Sequence, residues 1–232
     1  MPRRPRLELP GLSLHITHRG VNRGGVFIDD DDRRHYLQLL KRAVTEYAIA
    51  VHAYVLMDNH VHLLTTAAGV GMTSAALRWL SQSYVQAFNR RHGRTGTLWE
   101  GRFKSCLVDS DRYVLSVYRY IELNPVRAAM VGAPEHHAWS SVHANLCLRA
   151  DPVVTPHPSF LAIGAEPQSR ALAYQAWLHE GVDDQQLNAI RAHIAQERAL
   201  GNPRFQAMVE KTLNRPVTVR PRGRPSRSPA ID

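Results

Sequence analysis

The chain has 232 residues, of which 44% are hydrophobic, and carries a formal charge of +9 with an isoelectric point near 10.1. The length suits one substantial core plus appendages, and the charge calls for a polyanionic partner, either nucleic acid or an anionic membrane surface. No apolar run approaches the ~20 residues of a spanning helix, and MPRRPRLELPGLSLH offers no apolar segment for a signal peptide, so a cytoplasmic protein with no membrane association is expected.

In residues 12–19, Leu12, Leu14 and Ile16 alternate with Ser13, His15 and Thr17, the period of a half-buried strand. The loop GVNRGG follows. Asp29 to Asp32 suit a first helical turn, and Leu37, Leu40, Val44 and Tyr47 recur at helical spacing behind them. The next run, IAVHAYVLMDNHVHLLTTA, sets Ile49, Val51, Ala53, Val55 and Met57 on one face, then breaks at Asp58-Asn59 before a second alternating run from His60 to Thr65. Asp-Asn is turn chemistry, so a hairpin is expected.

Residues 72–92 return to helical period through Leu77, Leu80, Tyr84 and Phe88. Leu98 to Val108 mixes aromatic and branched residues with Arg102 and Lys104, as in a basic-faced strand or hairpin. Asp109 or Ser110 can cap a helix running through Tyr120 toward Asn124, and Pro125 predicts that Asn124 closes that helix. This order predicts an α+β fold: a ferredoxin-like antiparallel sheet with two helices on one face, plus a further helix carrying Tyr120.

The texture changes near Asp151, and residues 1–150 are read as one domain. Residues 151–214 form a small helical appendage, with helices around 171–178 and 184–197. Residues 215–232 form a basic tail, expected to be disordered until bound. From Pro203 onward seven basic residues face only Glu210 and Asp232, so more than half of the net charge lies there. Cys106 and Cys147 lack CxxC spacing and are expected to be small buried apolar residues.

His60 and His62, two apart on a strand, send both imidazoles to one face, while Val61 and Leu63 point to the other. Two such rings can chelate one metal ion, although the pattern alone suits packing or solubility as well. Tyr120 and Asn124 are four apart and share a helix face. A core aromatic whose hydroxyl finds a partner is the commoner fate of such a tyrosine. His52, on the preceding strand, is either a neighbour of the pair or without a role.

The runs GLSLHITHRGVNRG, YVLMDNHVHLL, LWEGRFKS, YRYIELNPVRA and RFQAMVEKTLNRPV, in this order, resemble the REP-associated tyrosine transposases, a bacterial branch of the single-tyrosine HUH transposase superfamily. The resemblance covers most of residues 7–145 and part of the C-terminus. It departs at the loop, GVNRG where the family would have G-N-N-R, and in residues 150–200, which match no motif. It implies that His60 and His62 are metal ligands, that Tyr120 is the nucleophile, and that Asn124 completes the metal site, with Mg²⁺ or Mn²⁺ as the ion. Imidazoles favour transition ions and Mg²⁺ prefers oxygen, whereas Mn²⁺ accepts both.

The implied activity is single-stranded DNA cleavage and strand transfer through a 5′-phosphotyrosine, on a hairpin of the repetitive extragenic palindrome type. A non-catalytic hairpin-binding protein on the same fold and an unrelated metal hydrolase are the competing readings, and both a monomer and a dimer are compatible with the sequence. Candidates for holding DNA are Arg19, Arg23, Trp99, Arg102, Lys104 and Arg127, each otherwise a solvated surface residue. In the tail, Arg222 and Arg224 around Gly223 have the form of a minor-groove arm, or of a solubilising tail with general phosphate affinity.

Overall fold

The computed structural model describes residues 5–109 and 113–220. The first alternating run forms β1 (Ser13–Arg19). The acidic run starts α1 (Asp30–Glu46), where the Asp29 side chain accepts from the Asp32 amide as N-cap and three more aspartates occupy the first turn. β2 (Ile49–Met57) and β3 (His60–Ala67) form the hairpin, with Met57 paired to His60 across the Asp58-Asn59 turn. α2 (Met72–Arg91), β4 (Lys104–Val108) and α3 (Tyr113–Glu122) complete the set. The order β2-β3-β1-β4, all antiparallel, is the ferredoxin-like arrangement predicted from the element order.

The structure corrects several local expectations. Residues 98–103 form no strand, and a single bridge between Gly20 and Trp99 takes their place. Cys106 is buried but Cys147 is exposed. Asn124 does not close a helix: it opens a four-residue turn, α4 (Asn124–Arg127), in which Pro125 stands at the start, where no amide donor is required. Asp109 is turned to Asn202, whose side-chain amide donates to it at 3.0 Å, while Ser110 lies outside the described residues.

The alternation along β2 also fails at one point. A bulge between Val51 and Ala53 makes His52 the extra residue. Val51 then packs with Tyr54 and Leu56 beneath α1 and α2, whereas Ala53, Val55 and Met57 face α3. The bulged His52 is buried, with Nδ1 donating to the Thr155 carbonyl at 2.7 Å and Nε2 accepting from the Thr66 hydroxyl at 2.8 Å.

Two short turns, α5 (Val142–Asn145) and α6 (Pro158–Leu161), lead to α7 (Pro167–His179), α8 (Asp184–Gln196), β5 (Ala199–Leu200) and α9 (Pro203–Leu213). β5 lies parallel to β4 and makes the sheet mixed. Tyr174, Leu178, Ile190 and Ile194 share one core with Val117 and Ile121 of α3, so residues after 150 cover the second face of the sheet. Of the stretch expected to be disordered, residues 215–220 lie along the body, with Val217 fully buried and its carbonyl accepting from the Ala199 amide, and residues 221–232 fall outside the described residues. Among the described residues no helix is long and apolar enough to cross a membrane.

One buried carboxylate joins these parts. Glu122, at the end of α3, accepts from the Ser141 hydroxyl at 2.5 Å, the Asn145 amide at 2.7 Å and the Tyr174 hydroxyl at 2.7 Å. Burial pushes its pKa up to about 7, against the pull of the three donors.

Burial pushes the His52 imidazole in the other direction, down to about 4, partly offset by its bond to Thr155. The unfolded chain takes up this proton near pH 6.5 and the folded chain only near 4, so the contribution of neutral His52 is present above pH 6.5 and is lost as the pH falls through that window. In urea unfolding, His52→Gln is expected to lose about 2 kcal/mol less stability than the parent between pH 7 and 4.5. Parallel pH profiles for the two proteins would contradict this account of His52.

Candidate functional site

The antiparallel register sets Thr17 opposite His62 and Arg19 opposite His60, so β1 and β3 present these side chains on one face. α3 and α8 cover that face and enclose a cavity of about 400 Å³, into which Thr17, Arg19, His60, His62, Tyr120 and Asn124 all project. The structure thus brings together the four residues implied for chemistry. Glu100, Arg102 and Lys104 form one rim, and Arg191, Ile194 and Ala195 of α8 form the other.

The two imidazoles stand perpendicular, with ring centroids 5.0 Å apart. Burial drives both toward the neutral form: His60 falls to about 4, with Arg19 adding to the effect, and His62 falls further under the added influence of His15 and His60. Neutral rings keep a nitrogen lone pair. His60 Nδ1 lies 2.7 Å from Asn59 Oδ1, an acceptor, which fixes its proton there and leaves Nε2 open. His62 Nδ1 lies 3.0 Å from Nε2 of the fully buried His15. His15 Nδ1 has no partner among the described residues, so the proton between the two rings has two arrangements, and ligation at His62 Nε2 selects the one in which His62 donates.

Tyr120 occupies the last turn of α3 with its ring buried. The ring meets His15 and His62 edge to face at 5.5 and 5.6 Å. The core tyrosines Tyr54, Tyr84 and Tyr174 donate their hydroxyls to Asp151, Val26 and Glu122. The Tyr120 hydroxyl makes no hydrogen bond to a described residue, and its side chain lines the cavity. A buried ring with an uncommitted hydroxyl is the arrangement of a reactive group more than of a packing group.

The Asn124 amide belongs to the same cavity, and its Nδ2 is buried with no partner among the described residues. The amide turned over presents Oδ1 in that place, an oxygen donor beside two imidazole nitrogens. Among the described residues no three His, Cys, Asp or Glu side chains come together to hold a metal. The donor set available to a divalent ion is therefore two nitrogens and one amide oxygen, which fits an ion that accepts both and draws its remaining ligands from phosphate and water.

The DNA-holding candidates separate in space. Arg19, Arg102 and Lys104 are exposed at the cavity, while Arg23 is exposed in the first loop away from it. Trp99 is buried, and its indole stacks on His18 at 4.1 Å, so that face is closed to a nucleobase. Arg127 turns inward: its guanidinium lies 4.5 Å over the Tyr120 ring, and Nη2 donates to the Tyr120 carbonyl at 2.6 Å. Its contact with the Tyr120 ring is thus one of positioning. Arg222 and Arg224 lie outside the described residues.

Sequence reasoning passed over His15, Thr17, Glu100 and Arg191. His15 and Thr17 alternate with apolar residues and read as the solvent side of a half-buried strand, yet His15 is fully buried because later helices cover that side. The alternation was the available signal. Arg191 carries none, being one charge on a polar helix face.

The sequence model of the family described as "Transposase IS200 like" matches residues 9–124, half of the chain. Among solved structures, the chain is similar to a REP-associated tyrosine transposase bound to a REP hairpin, at 18% identity over 67% of this chain and 92% of that chain, with a TM-score of 0.53. It is also similar to a chain from Deinococcus radiodurans R1 named for a transposase, at 18% identity over 52% of this chain and 96% of that chain, with a TM-score of 0.37. The first likeness bears on the fold; the second is too distant to add to it. No curated protein matches the sequence.

Proposed function

The chain belongs to the IS200-like transposase family, and from that premise we propose that it is a metal-dependent single-stranded DNA endonuclease and strand transferase whose nucleophile is Tyr120. The observation that carries this reading is the meeting of an uncommitted Tyr120 hydroxyl, two neutral imidazoles and the orphaned Asn124 amide in one cavity. A hairpin of the REP type is the proposed substrate. The sequence motifs support it, and so does the fold shared with a transposase bound to such a hairpin.

The residues divide the work as follows. Arg19, Lys104 and Arg102 draw the phosphate backbone to the cavity mouth. His60 Nε2, His62 Nε2 and Asn124 Oδ1 would hold Mg²⁺ or Mn²⁺, which when bound supplies Lewis-acid stabilisation of the charge that develops on the phosphate oxygens. Packing between the His15 and His62 rings on one side and the Arg127 guanidinium on the other orients the Tyr120 ring, so little freedom is lost on attack. The Tyr120 oxygen bonds to phosphorus as the bond to the 3′ oxygen breaks. The phenol gives up a proton and the departing 3′ oxygen gains one. The product is a 5′-phosphotyrosine with a free 3′-hydroxyl, and attack by a 3′-hydroxyl on that ester reverses the step, giving religation or strand transfer.

Incubation with hairpin-bearing single-stranded DNA and Mn²⁺ is expected to yield a covalent protein–DNA adduct that survives denaturing electrophoresis, and Tyr120→Phe to abolish it. An adduct formed by Tyr120→Phe would remove Tyr120 from this role, and cleavage with no adduct would point to water as the nucleophile.

Since the protein alone offers an incomplete donor set, Mn²⁺ is expected to bind the Tyr120→Phe protein at least tenfold more tightly with DNA present than without, with most of that gain lost in His60→Ala. Equal Mn²⁺ affinity with and without DNA, measured by titration calorimetry, would rule out this coupling.

A further inference from the structure

Helix α8 belongs to two cavities. It supplies Arg191 and Ala195 to the wall of the catalytic cavity, and the same two residues line a second cavity of about 370 Å³ that opens over Asn188, Ala192 and Gln196 and ends at Val219 and Arg220. Asn188, Arg191, Ala192 and Ala195 recur at helical spacing and form one stripe that flanks the buried Leu187, Ile190 and Ile194.

This stripe differs from an ordinary solvated helix face in three ways. Arg191 is exposed and makes no hydrogen bond or ion pair with any described residue, and its charge is felt at Arg127, behind the nucleophile. Beside it the surface is cut down to alanine side chains, a shallow floor between polar groups. At the far end Gln196 grips the backbone of Arg220 from both sides, its amide donating to the Arg220 carbonyl at 2.8 Å and its oxygen accepting from the Arg220 amide at 2.9 Å. That clamp fixes the root of the segment containing Arg222, Arg224 and Arg227 at the end of the stripe.

We infer that the outer face of α8 is a binding lane for the sugar–phosphate backbone of single-stranded nucleic acid, leading from the catalytic cavity to the root of the arginine-rich C-terminus. Arg191 holds a phosphate where the strand leaves the cavity, Asn188 offers a further polar contact, and Ala192 and Ala195 allow close approach of the backbone. The lane reads no base, because backbone contacts carry no sequence information. The inference rests on the catalytic reading of the cavity, and it adds a path for the strand outside that cavity, built by a helix beyond the family-matched residues 9–124.

The test uses the full chain carrying Tyr120→Phe, so that DNA is bound and not cut. Hairpin oligonucleotides with no single-stranded flank, or with a flank of about 10 nucleotides on the 5′ or the 3′ side, are titrated by fluorescence anisotropy at several salt concentrations. Arg191→Ala is expected to weaken binding of one long-flank oligonucleotide about fivefold and to lower its salt slope by about 0.7, with a smaller loss for the flankless hairpin, which meets Arg191 only at the cavity rim. Arg191→Lys is expected to restore most of the loss, since a phosphate contact asks for charge more than for fork geometry. Circular dichroism and the melting temperature check that the exposed substitution leaves the fold intact. Unchanged affinity and slope with every flank, or an equal loss with and without a flank, overturns the lane while the catalytic reading stands. Failure of the parent to bind any of these oligonucleotides overturns both.

Discussion

The position of the tyrosine helix depends on a carboxylate that meets no water. Glu122 is fully buried and held by three donors from two later parts of the chain, Ser141 and Asn145 at α5 and Tyr174 of α7. At about 100° per residue, Glu122 lies roughly 200° around the helix axis from Tyr120. Anchoring Glu122 outward, into α5 and α7, therefore turns Tyr120 toward the sheet, where His62 is. A single exposed ion pair would not fix that orientation, because such pairs contribute little and exchange with solvent. A buried acceptor with three donors costs several kcal/mol to dislodge, so the rotation of α3 is well determined.

The same covering decides the state of the histidines. A strand face in contact with water would let His60 and His62 titrate near neutrality, and a protonated imidazole has no lone pair to offer. Enclosure beneath α3 and α8, together with Arg19 nearby, keeps them neutral. Removing water from the face also strengthens each charge effect exerted inside it. The cationic rim then stands where the dielectric changes from wet to dry, the place at which a phosphate loses most hydration and gains most from a fixed charge.

Residues 13–67, 72–91 and the tyrosine helix were legible because their apolar spacing belongs unmistakably to one period or the other, and the His60–His62 and Tyr120–Asn124 spacings follow from those periods. What escaped has local physical reasons. One extra residue at His52 inverts the parity of a strand, and nothing in the pattern IAVHAYVLM announces it, since both faces there are apolar. Trp99 reads as an exposed stacking platform from its basic neighbours, but its partner His18 is more than eighty residues earlier in the chain. Arg127 reads as a surface cation because the ring it covers becomes adjacent only through the turn of α4. β5 has two residues, too few for any periodicity.

The residues after 150 illustrate a more general limit. The family model ends at residue 124, and residues 150–200 match no motif. Yet Tyr174, Ile190 and Ile194 share a core with the tyrosine helix, and α8 forms one wall of the cavity that holds His60, His62 and Tyr120. The chemistry needs a few residue types at fixed spacing, which a motif can carry. The dryness of the site needs only apolar volume in the right place, and many sequences supply that equally well. A wall built under so loose a demand can take on other features at little cost to stability, provided they lie on its outer side. On α8 the inner residues Leu187, Ile190 and Ile194 meet the demand of the core, which leaves Asn188 and Ala192, outside the first cavity, to be set by whatever lies against the outer face.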